Sequence, residues 1–440
     1  MRSSRRSVWG SAVALAVVAL IAAACSSSSK SSSTATTSHT GSVGGSSAST
    51  AAGGGSAAGA ANKSPIKIGF VTSITGNASS TFNNSAVGAK AYFDAINASG
   101  GYNGHPIELV TEDDTSSPTG AASAVKLLIS RNVLAIISDS PYFFGGYQFA
   151  QQAGVPVVGS GFDGPEWGVK PNTNMFSFTG GVDPNHSEVQ ASIPTAQFFK
   201  YLGVKNVGGV AYGISPSSTS AVKDLKTAME DIGLHMGYEN LSVAFGTTDV
   251  SSLVLAMKNA GVDMASCSCV QSTVLALVTG LMQAGSSAKS TSAASADSTI
   301  FADPSAAAAA QGVYYSSIIP PLDTNNPASM IFEQRFKAAN PSYVMGSYPT
   351  FGATDAYISA ALVYKGLQTA GANPTHQGFI SGLSQVTNWN GEGLLASPVS
   401  FNHFGSSEKQ YCQYFVHVQG KTFVAVNGGK AFCGSLPSNL

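Results

Sequence analysis

The stretch IKIGFV at residues 66–71, together with the helical pattern that follows it at residues 82–97, decides the fold class. The first run is short and apolar, which predicts a buried strand. The second run places apolar residues at helical spacing, and Gly100-Gly101 after it provides a stop signal. A strand followed at once by a helix predicts a βαβ unit and therefore a parallel α/β sheet.

The same alternation continues along the first half of the chain. Further short apolar runs predict strands at residues 107–111, 134–137 and 155–158. Between the first two of these strands, Ser117 and Pro118 supply an N-cap and a first-turn proline for a helix. Strict alternation of strands and helices predicts a parallel sheet with helices on both faces.

A second alternating set follows, with strands predicted at residues 207–211, 238–243 and 263–267. The Ser/Ala-rich patch at residues 286–297 predicts only a weak strand within a mobile loop. About 375 residues follow Pro65, too many for one ordinary core, which also favours two lobes. Two open α/β sheets in tandem place their binding crevices at the carboxyl ends of the strands.

Composition and motifs argue against several classes of partner and chemistry. The formal net charge is −1 and no basic stripe occurs, so we expect no nucleic-acid partner. The chain contains no G-x-S-x-G, H-E-x-x-H or P-loop motif, and the acidic run at residues 112–114 is typical of a solvated loop. We therefore expect a binding protein without a cofactor or metal rather than an enzyme.

The first residues of the chain predict export. Residues 1–24 combine the basic residues Arg2, Arg5 and Arg6 with an apolar run at residues 13–24. That run is shorter than the roughly 20 residues of a membrane span, so it indicates a signal peptide.

The segment that follows predicts a lipid anchor and a tether. The small residues before Cys25 resemble the bacterial lipobox, with Ala22 in place of the usual leucine, which implies lipidation at Cys25. An ordinary secretory signal with a chance cysteine is the alternative. Residues 25–64 are mainly Ser, Ala, Thr and Gly and predict a disordered tether. We therefore expect an extracytoplasmic cell-envelope lipoprotein, anchored to the outer face of the cytoplasmic membrane.

Four cysteines remain after Cys25, and an even number in an oxidising compartment predicts disulfides. Cys412 and Cys433 flank a predicted hairpin, so we expect them to pair. Cys267 and Cys269 lie two apart on a predicted strand and point to the same face, a poor geometry for a mutual bond. No histidine or further cysteine accompanies them at metal-site spacing.

Six short motifs occur in one order along the chain: IGFVTSITG at 68–76, DAINASGG at 94–101, GHPIEL at 104–109, EDD at 112–114, GVPVV at 154–158 and QGVY at 311–314. Their order and spacing resemble the type I periplasmic solute-binding proteins of the branched-chain amino acid (Leu/Ile/Val-binding) group. The resemblance implies an α/β fold of two Rossmann-like lobes with parallel sheets, joined by three hinge crossovers. Lobe one would comprise residues 65–178 and 318–390, and lobe two residues 179–317 and 391–440.

The resemblance also implies a function. Members of this group close their two lobes on a small polar or amino-acid-like solute and deliver it to the permease subunits of an ABC transporter. Closure follows when the ligand stabilises the state in which it contacts both lobes. The alternative is a ligand-sensing lipoprotein of the same fold that signals to a membrane partner.

Several site residues follow from the resemblance. In relatives, a hydroxyl after the third strand holds the ligand carboxylate, and Ser140 matches that place, with Tyr142 beside it. Helix capping is the alternative role for Ser140. Gly161, Phe162 and Asp163 occupy positions that hold the same head group in relatives. A carboxylate at Asp163 would repel a ligand carboxylate, so either Asp163 turns away or the ligand has a different head.

The remaining candidates lie in the first loop and the second lobe. Asp303 matches an acidic acceptor for the ligand ammonium, with an N-cap to the alanine-rich stretch as the alternative. Phe82 lies near the position of a family aromatic residue. Ser217 and Gln271 lie near second-lobe contacts where relatives often have tyrosine. The aromatic residues around residues 142–167 indicate an apolar or planar solute, although core packing is the simpler role for any single one.

Overall fold

The computed structural model of the protein describes residues 63–167, 172–179, 187–402 and 411–435. The predicted signal peptide, Cys25 and the predicted tether up to residue 62 lie outside the described residues. Within the described ranges, no helix is long and apolar enough to cross a membrane. The same ranges contain no group of three or more His, Cys, Asp or Glu side chains that could hold a metal ion.

The first lobe is built on a parallel sheet. Its strands are β1 (Ile66–Thr72), β2 (Ile107–Asp113), β3 (Ala135–Asp139), β4 (Val157–Gly159) and β5 (Met175–Ser177), in the order β2-β1-β3-β4-β5. Helices α1 (Ser79–Phe82), α2 (Ala86–Ala98), α3 (Pro118–Ser130) and α4 (Tyr147–Gln152) lie between them in the chain. Every residue of the central strand β3 is buried, as expected for a sheet covered on both faces.

The second lobe repeats this plan. Its strands are β6 (Asn206–Tyr212), β7 (His235–Val243), β8 (Met264–Ser268), β9 (Lys289–Ser295) and β10 (Tyr314–Ser317). Its helices are α5 (Ser187–Tyr201), α6 (Pro216–Asp231), α7 (Ser251–Asn259), α8 (Gln271–Gln283) and α9 (Pro304–Ala309). Strands β6 to β10 pair in parallel, which confirms the predicted fold class.

The chain then returns to each lobe in turn. Helices α10 (Pro327–Ala339), α11 (Phe351–Ala370) and α12 (His376–Leu383) belong to lobe one, where α11 packs on α2, β3 and β4. Strands β11 (Tyr411–Gln419), β12 (Thr422–Ala425) and β13 (Phe432–Gly434) complete the second sheet, whose order is β12-β11-β10-β9-β8-β6-β7 with β13 on β11. The residues at which the lobes divide, predicted near 178, 318 and 390, stay a prediction.

The weak strand predicted at residues 286–297 is present as β9, but the prediction that it lies in a mobile loop is wrong. Strand β9 lies inside the second sheet and pairs in parallel with β8 on one side and β10 on the other. Serine and alanine have weak intrinsic strand preference, but strand formation depends on the neighbours more than on the residue itself. Here backbone hydrogen bonds to the two neighbouring strands stabilise β9, although its own side chains have little preference for a strand.

The expectation that Cys267 and Cys269 have poor geometry for a mutual bond is also wrong, because the structure joins them in a disulfide. Two residues at positions i and i+2 of a regular strand have Cα atoms about 6.6 Å apart. Strand β8 ends at Ser268, so Cys269 leaves the pleat and the two Cα atoms approach to 5.1 Å. That separation lies within the range of disulfides.

The second disulfide joins Cys412 of β11 to Cys433 of β13. The two residues are direct partners in the antiparallel pair, with Cα atoms 4.1 Å apart. The bond therefore fixes the last described strand to the edge of the second sheet.

Candidate functional site

A cavity of about 400 Å³ lies at the carboxyl ends of strands from both sheets. In lobe one it is lined by Gly161, just after β4, and by Ser177, the last residue of β5. In lobe two it is lined by Tyr212 and Ser268, the last residues of β6 and β8. This is the edge at which open α/β sheets bind their ligands.

Aromatic rings form the lobe-one side of this cavity. Phe82 stacks on Phe162 with ring centroids 5.6 Å apart and planes 14° apart. Phe351, at the start of α11, packs edge-on against both rings, at 5.9 Å and 5.2 Å. All three rings line the cavity, so they offer flat apolar surface to a ligand.

The lobe-two side is aromatic as well. Phe245 and Tyr212 line the cavity with ring centroids 4.5 Å apart. Tyr142 of lobe one lies 5.9 Å from Phe245, so a ring contact joins the lobes beside the cavity. The Tyr142 hydroxyl donates to Asn77 Oδ1 at 3.0 Å, and Tyr142 itself does not line the cavity. We call the ring-lined space between Phe82, Phe162, Phe351, Tyr212 and Phe245 the aromatic cleft.

The described part of the cavity lining carries no charged side chain. None of the described residues that line it is an aspartate, glutamate, lysine, arginine or histidine. Its polar groups are hydroxyls, one amide side chain and backbone atoms. A free amino acid would therefore find no counter-charge among these residues for either its carboxylate or its ammonium, and unpaired buried charge is costly.

The hydroxyl of Ser140 is committed to the protein. It donates to the Asp114 carboxylate and accepts a hydrogen bond from the Tyr142 N–H at 3.0 Å. Ser73 also donates to Asp114, at 2.7 Å from Oδ1. Burial raises the pKa of Asp114, and the serine hydroxyls partly offset that rise. The hydroxyl thus supports the loop after β3 and does not cap the short helix that follows, and Ser140 does not line the cavity, so its contact with a ligand stays a prediction.

Asp163 turns away from the cavity, one of the two alternatives raised by its position. Its Oδ1 accepts a hydrogen bond from Trp167 Nε1 at 2.7 Å, and the residue is 1% exposed. Burial, and then the neighbouring Glu166 carboxylate, raise the pKa of Asp163. Gly161 and Phe162 do line the cavity, so this loop contributes its backbone and a ring.

The candidate residues of the second lobe also differ in whether they line the cavity. Ser217 lines the cavity, with its hydroxyl 3.1 Å from that of Ser215. Gln271 instead donates to the Tyr315 hydroxyl at 2.7 Å and lies behind the lining. Asp303 is exposed, caps α9 and accepts from the Ser305 and Ala306 N–H groups at 2.7 Å and 2.9 Å.

The cavity is also lined by a set of hydroxyl side chains that were not predicted from the sequence as site residues. In lobe one, Ser177 and Thr179 both donate to the Ser160 carbonyl at 2.6 Å. In lobe two, further serines and threonines line the cavity from β8, β9 and β10. The Ser/Ala patch at residues 286–297 was the available signal, because small polar residues in a buried strand leave space above the sheet.

Comparisons with known proteins agree with this geometry. The family model described as "Periplasmic binding protein" matches residues 65–422. The Leu/Ile/Val-binding protein homolog 7 of Brucella suis biovar 1 (strain 1330) is 28% identical over 212 residues, which cover 47% of this chain and 53% of that protein. The chain thus spans about half the length of the curated relatives it matches.

Solved structures show the same fold at low identity. A fatty acid ABC transporter substrate-binding protein from Thermomonospora curvata is 21% identical with a TM-score of 0.67, covering 85% of this chain and 92% of that one. A leucine-binding protein from Thermotoga maritima MSB8 is 17% identical with a TM-score of 0.68, covering 85% and 100%. An R. palustris solute-binding protein in complex with benzoate is 15% identical with a TM-score of 0.67, covering 83% and 97%.

Proposed function

The chain belongs to the periplasmic binding protein family, and we propose that it is a solute-binding protein of an ABC transporter that captures a small neutral solute with a planar part between its two lobes. The observation that carries the proposal is the aromatic cleft, to which both lobes contribute rings. A ligand that touches both lobes stabilises their closed arrangement. Ring burial supplies the affinity, because aromatic surfaces bury large apolar areas on contact.

The absence of charge among the described lining residues supports an uncharged ligand. A neutral ring-bearing solute needs no counter-charge, whereas an amino acid needs two. The neighbour solved with benzoate supports the planar ring alone, because benzoate itself carries a carboxylate. We therefore restrict the predicted class of solute, which was small polar or amino-acid-like, to uncharged compounds.

The cellular role follows from the N-terminal sequence and the family. We propose that a signal peptide at residues 1–24 exports the chain and that lipid on Cys25 holds it at the outer face of the cytoplasmic membrane. The segment at residues 25–64 would then tether the binding lobes close to the permease subunits that receive the solute.

A thermal-shift measurement tests the ligand class. Benzamide, a neutral planar ring, should raise the melting temperature with concentration, while L-leucine should not. Phe162→Ala should abolish the benzamide shift because it removes the ring that stacks on Phe82. Tyr201→Ala, which removes an exposed ring outside the cavity, is the matched control and should leave the shift intact. A shift with leucine but none with benzamide would contradict the proposal.

A further inference from the structure

The cavity does not end at the aromatic cleft but continues into lobe two, between the sheet and helices α5 and α6. On the helix side it is lined by Ser192 and Thr195 of α5 and by Ala221 and Leu225 of α6. On the sheet side its lining comes from four neighbouring strands, β8 to β11. Because neighbouring strands lie about 4.8 Å apart, this part, called the inner chamber below, extends about 14 Å across the sheet.

The floor of the inner chamber carries hydroxyl groups where a buried sheet face usually carries branched apolar side chains. These residues, each at most 6% exposed, are Ser266, Thr291, Ser295 and Ser316. Ser266 pairs with Thr291 across β8 and β9, and Ser295 pairs with Ser316 across β9 and β10. The hydroxyls therefore occur in two cross-strand pairs over three neighbouring strands.

One of these hydroxyls has no hydrogen-bond partner among the described residues. Ser316 donates to the Ala293 carbonyl at 3.2 Å. The Ser295 hydroxyl is buried and has no hydrogen-bond partner in the part of the chain that the structure describes. A buried hydroxyl left unpaired costs free energy, but the Ser295 oxygen has almost no exposed surface, so the hydroxyl-rich lining as a whole is what favours an occupant that can hydrogen-bond.

The core of lobe two beside the inner chamber is tightly packed. Beside it, Phe198 stacks on Phe415 with ring centroids 4.1 Å apart and planes 13° apart, and Phe432 packs edge-on against both. The lobe thus fills its core with large rings next to the hydroxyl floor. Small polar residues at core positions break the local packing rule, and such breaks are expected at functional sites.

We propose that the inner chamber binds the uncharged tail of an elongated solute whose planar ring lies in the aromatic cleft. None of the described residues that line the chamber carries a charge, and hydroxyls both donate and accept hydrogen bonds. The tail therefore bears hydroxyl, ether or carbonyl oxygens along an otherwise apolar chain. This inference rests on the proposed function and narrows its solute class by length and by the chemistry of the tail.

A homologous series of neutral probes tests the inner chamber in the full-length protein. Phenol, 2-phenoxyethanol, diethylene glycol monophenyl ether and triethylene glycol monophenyl ether share one ring and differ in tail length. In calorimetric titrations, Kd should fall by about tenfold from phenol to the longest probe as the tail enters the chamber. Ser266→Leu should fill the chamber and remove that gain, so that the four probes bind with similar Kd.

Ser252→Leu, which adds the same bulk at an exposed position of α7, is the matched control and should keep the gain. Thr291→Leu fills the chamber from the next strand and replaces Ser266→Leu if that variant does not fold. Equal Kd values for all four probes, or tight binding of the longest probe by the filled variant, would overturn the inner chamber while leaving the proposed function standing. Failure of every probe to bind, phenol included, would overturn the aromatic cleft and the inner chamber together.

Discussion

The two aspartates behind the aromatic cleft make a prediction about stability and pH. Asp139 ends β3 and Asp355 lies in the first turns of α11, and both are fully buried. Burial raises the pKa of Asp355 to about 7, which the Ser160 and Ser359 hydroxyls partly offset. Burial, followed by the Asp355 carboxylate, also raises the pKa of Asp139, and Asp114 adds to that rise.

The sign of the effect follows from the direction of the shift. An unfolded aspartate has a pKa of about 3.9, so below pH 4 Asp355 is protonated in both states. Between about pH 4 and pH 7 the unfolded chain releases the proton and the folded chain keeps it. The free energy of unfolding then falls by about 1.4 kcal/mol per pH unit, or about 4 kcal/mol over the whole interval. Above pH 7 the side chain is ionised in both states and the loss stays constant.

Asp355→Asn removes this loss because an amide does not ionise. Compared with the wild type, the variant should gain about 3 kcal/mol of stability between pH 5 and pH 8. Urea unfolding at the two pH values measures the difference, and Asp231→Asn, at an exposed position of α6, is the matched control that should show no such gain. A stability difference between Asp355→Asn and wild type that is equal at both pH values would refute the reasoning.

Three further perturbations probe other parts of the molecule. Replacing both Cys412 and Cys433 by serine should lower the free energy of unfolding by about 3 kcal/mol. Replacing both Cys267 and Cys269 by serine should lower it by only about 1.5 kcal/mol, because the Cys412–Cys433 bond closes a longer loop. Equal losses would contradict this. Asp303→Ala should cost about 1 kcal/mol through the lost cap of α9 without changing benzamide binding, and a lost benzamide shift would instead place its carboxylate in the site. Cys25→Ser should release the protein from isolated membranes, and retention there would contradict the lipid anchor.

The sequence predicted those strands whose signal is local. β1 to β4, β6 and β8 lie within two residues of the predicted bounds, because short apolar runs between helices are typical of buried parallel strands. Strand β9 was predicted only as a weak strand in a mobile loop, because its serines and alanines are held by β8 and β10 and not by their own preference. The pairing of Cys267 with Cys269 was missed because the rule of alternating faces ends where the strand ends.

The site was harder to predict than the fold. Phe82, Gly161, Phe162 and Ser217 line the cavity, whereas Ser140 and Asp163 turn to partners within their own lobe, and the ligand contacts of all six stay a prediction. A match to a position in relatives shows where a residue lies in the sequence, but it does not show which way the side chain points. The inner chamber depends on which residues of β8 to β10 face each other, and that register is set by pairing between strands distant in sequence.

Native mass spectrometry of the protein isolated from its own cell envelope tests the central claim most directly. It measures the mass of whatever solute stays bound between the lobes, and fragmentation of the released solute identifies its chemical class. The aromatic cleft and its uncharged lining predict a neutral compound that contains a planar ring, present in the wild type and absent from Phe162→Ala. A zwitterionic amino acid bound equally to both proteins would contradict the account.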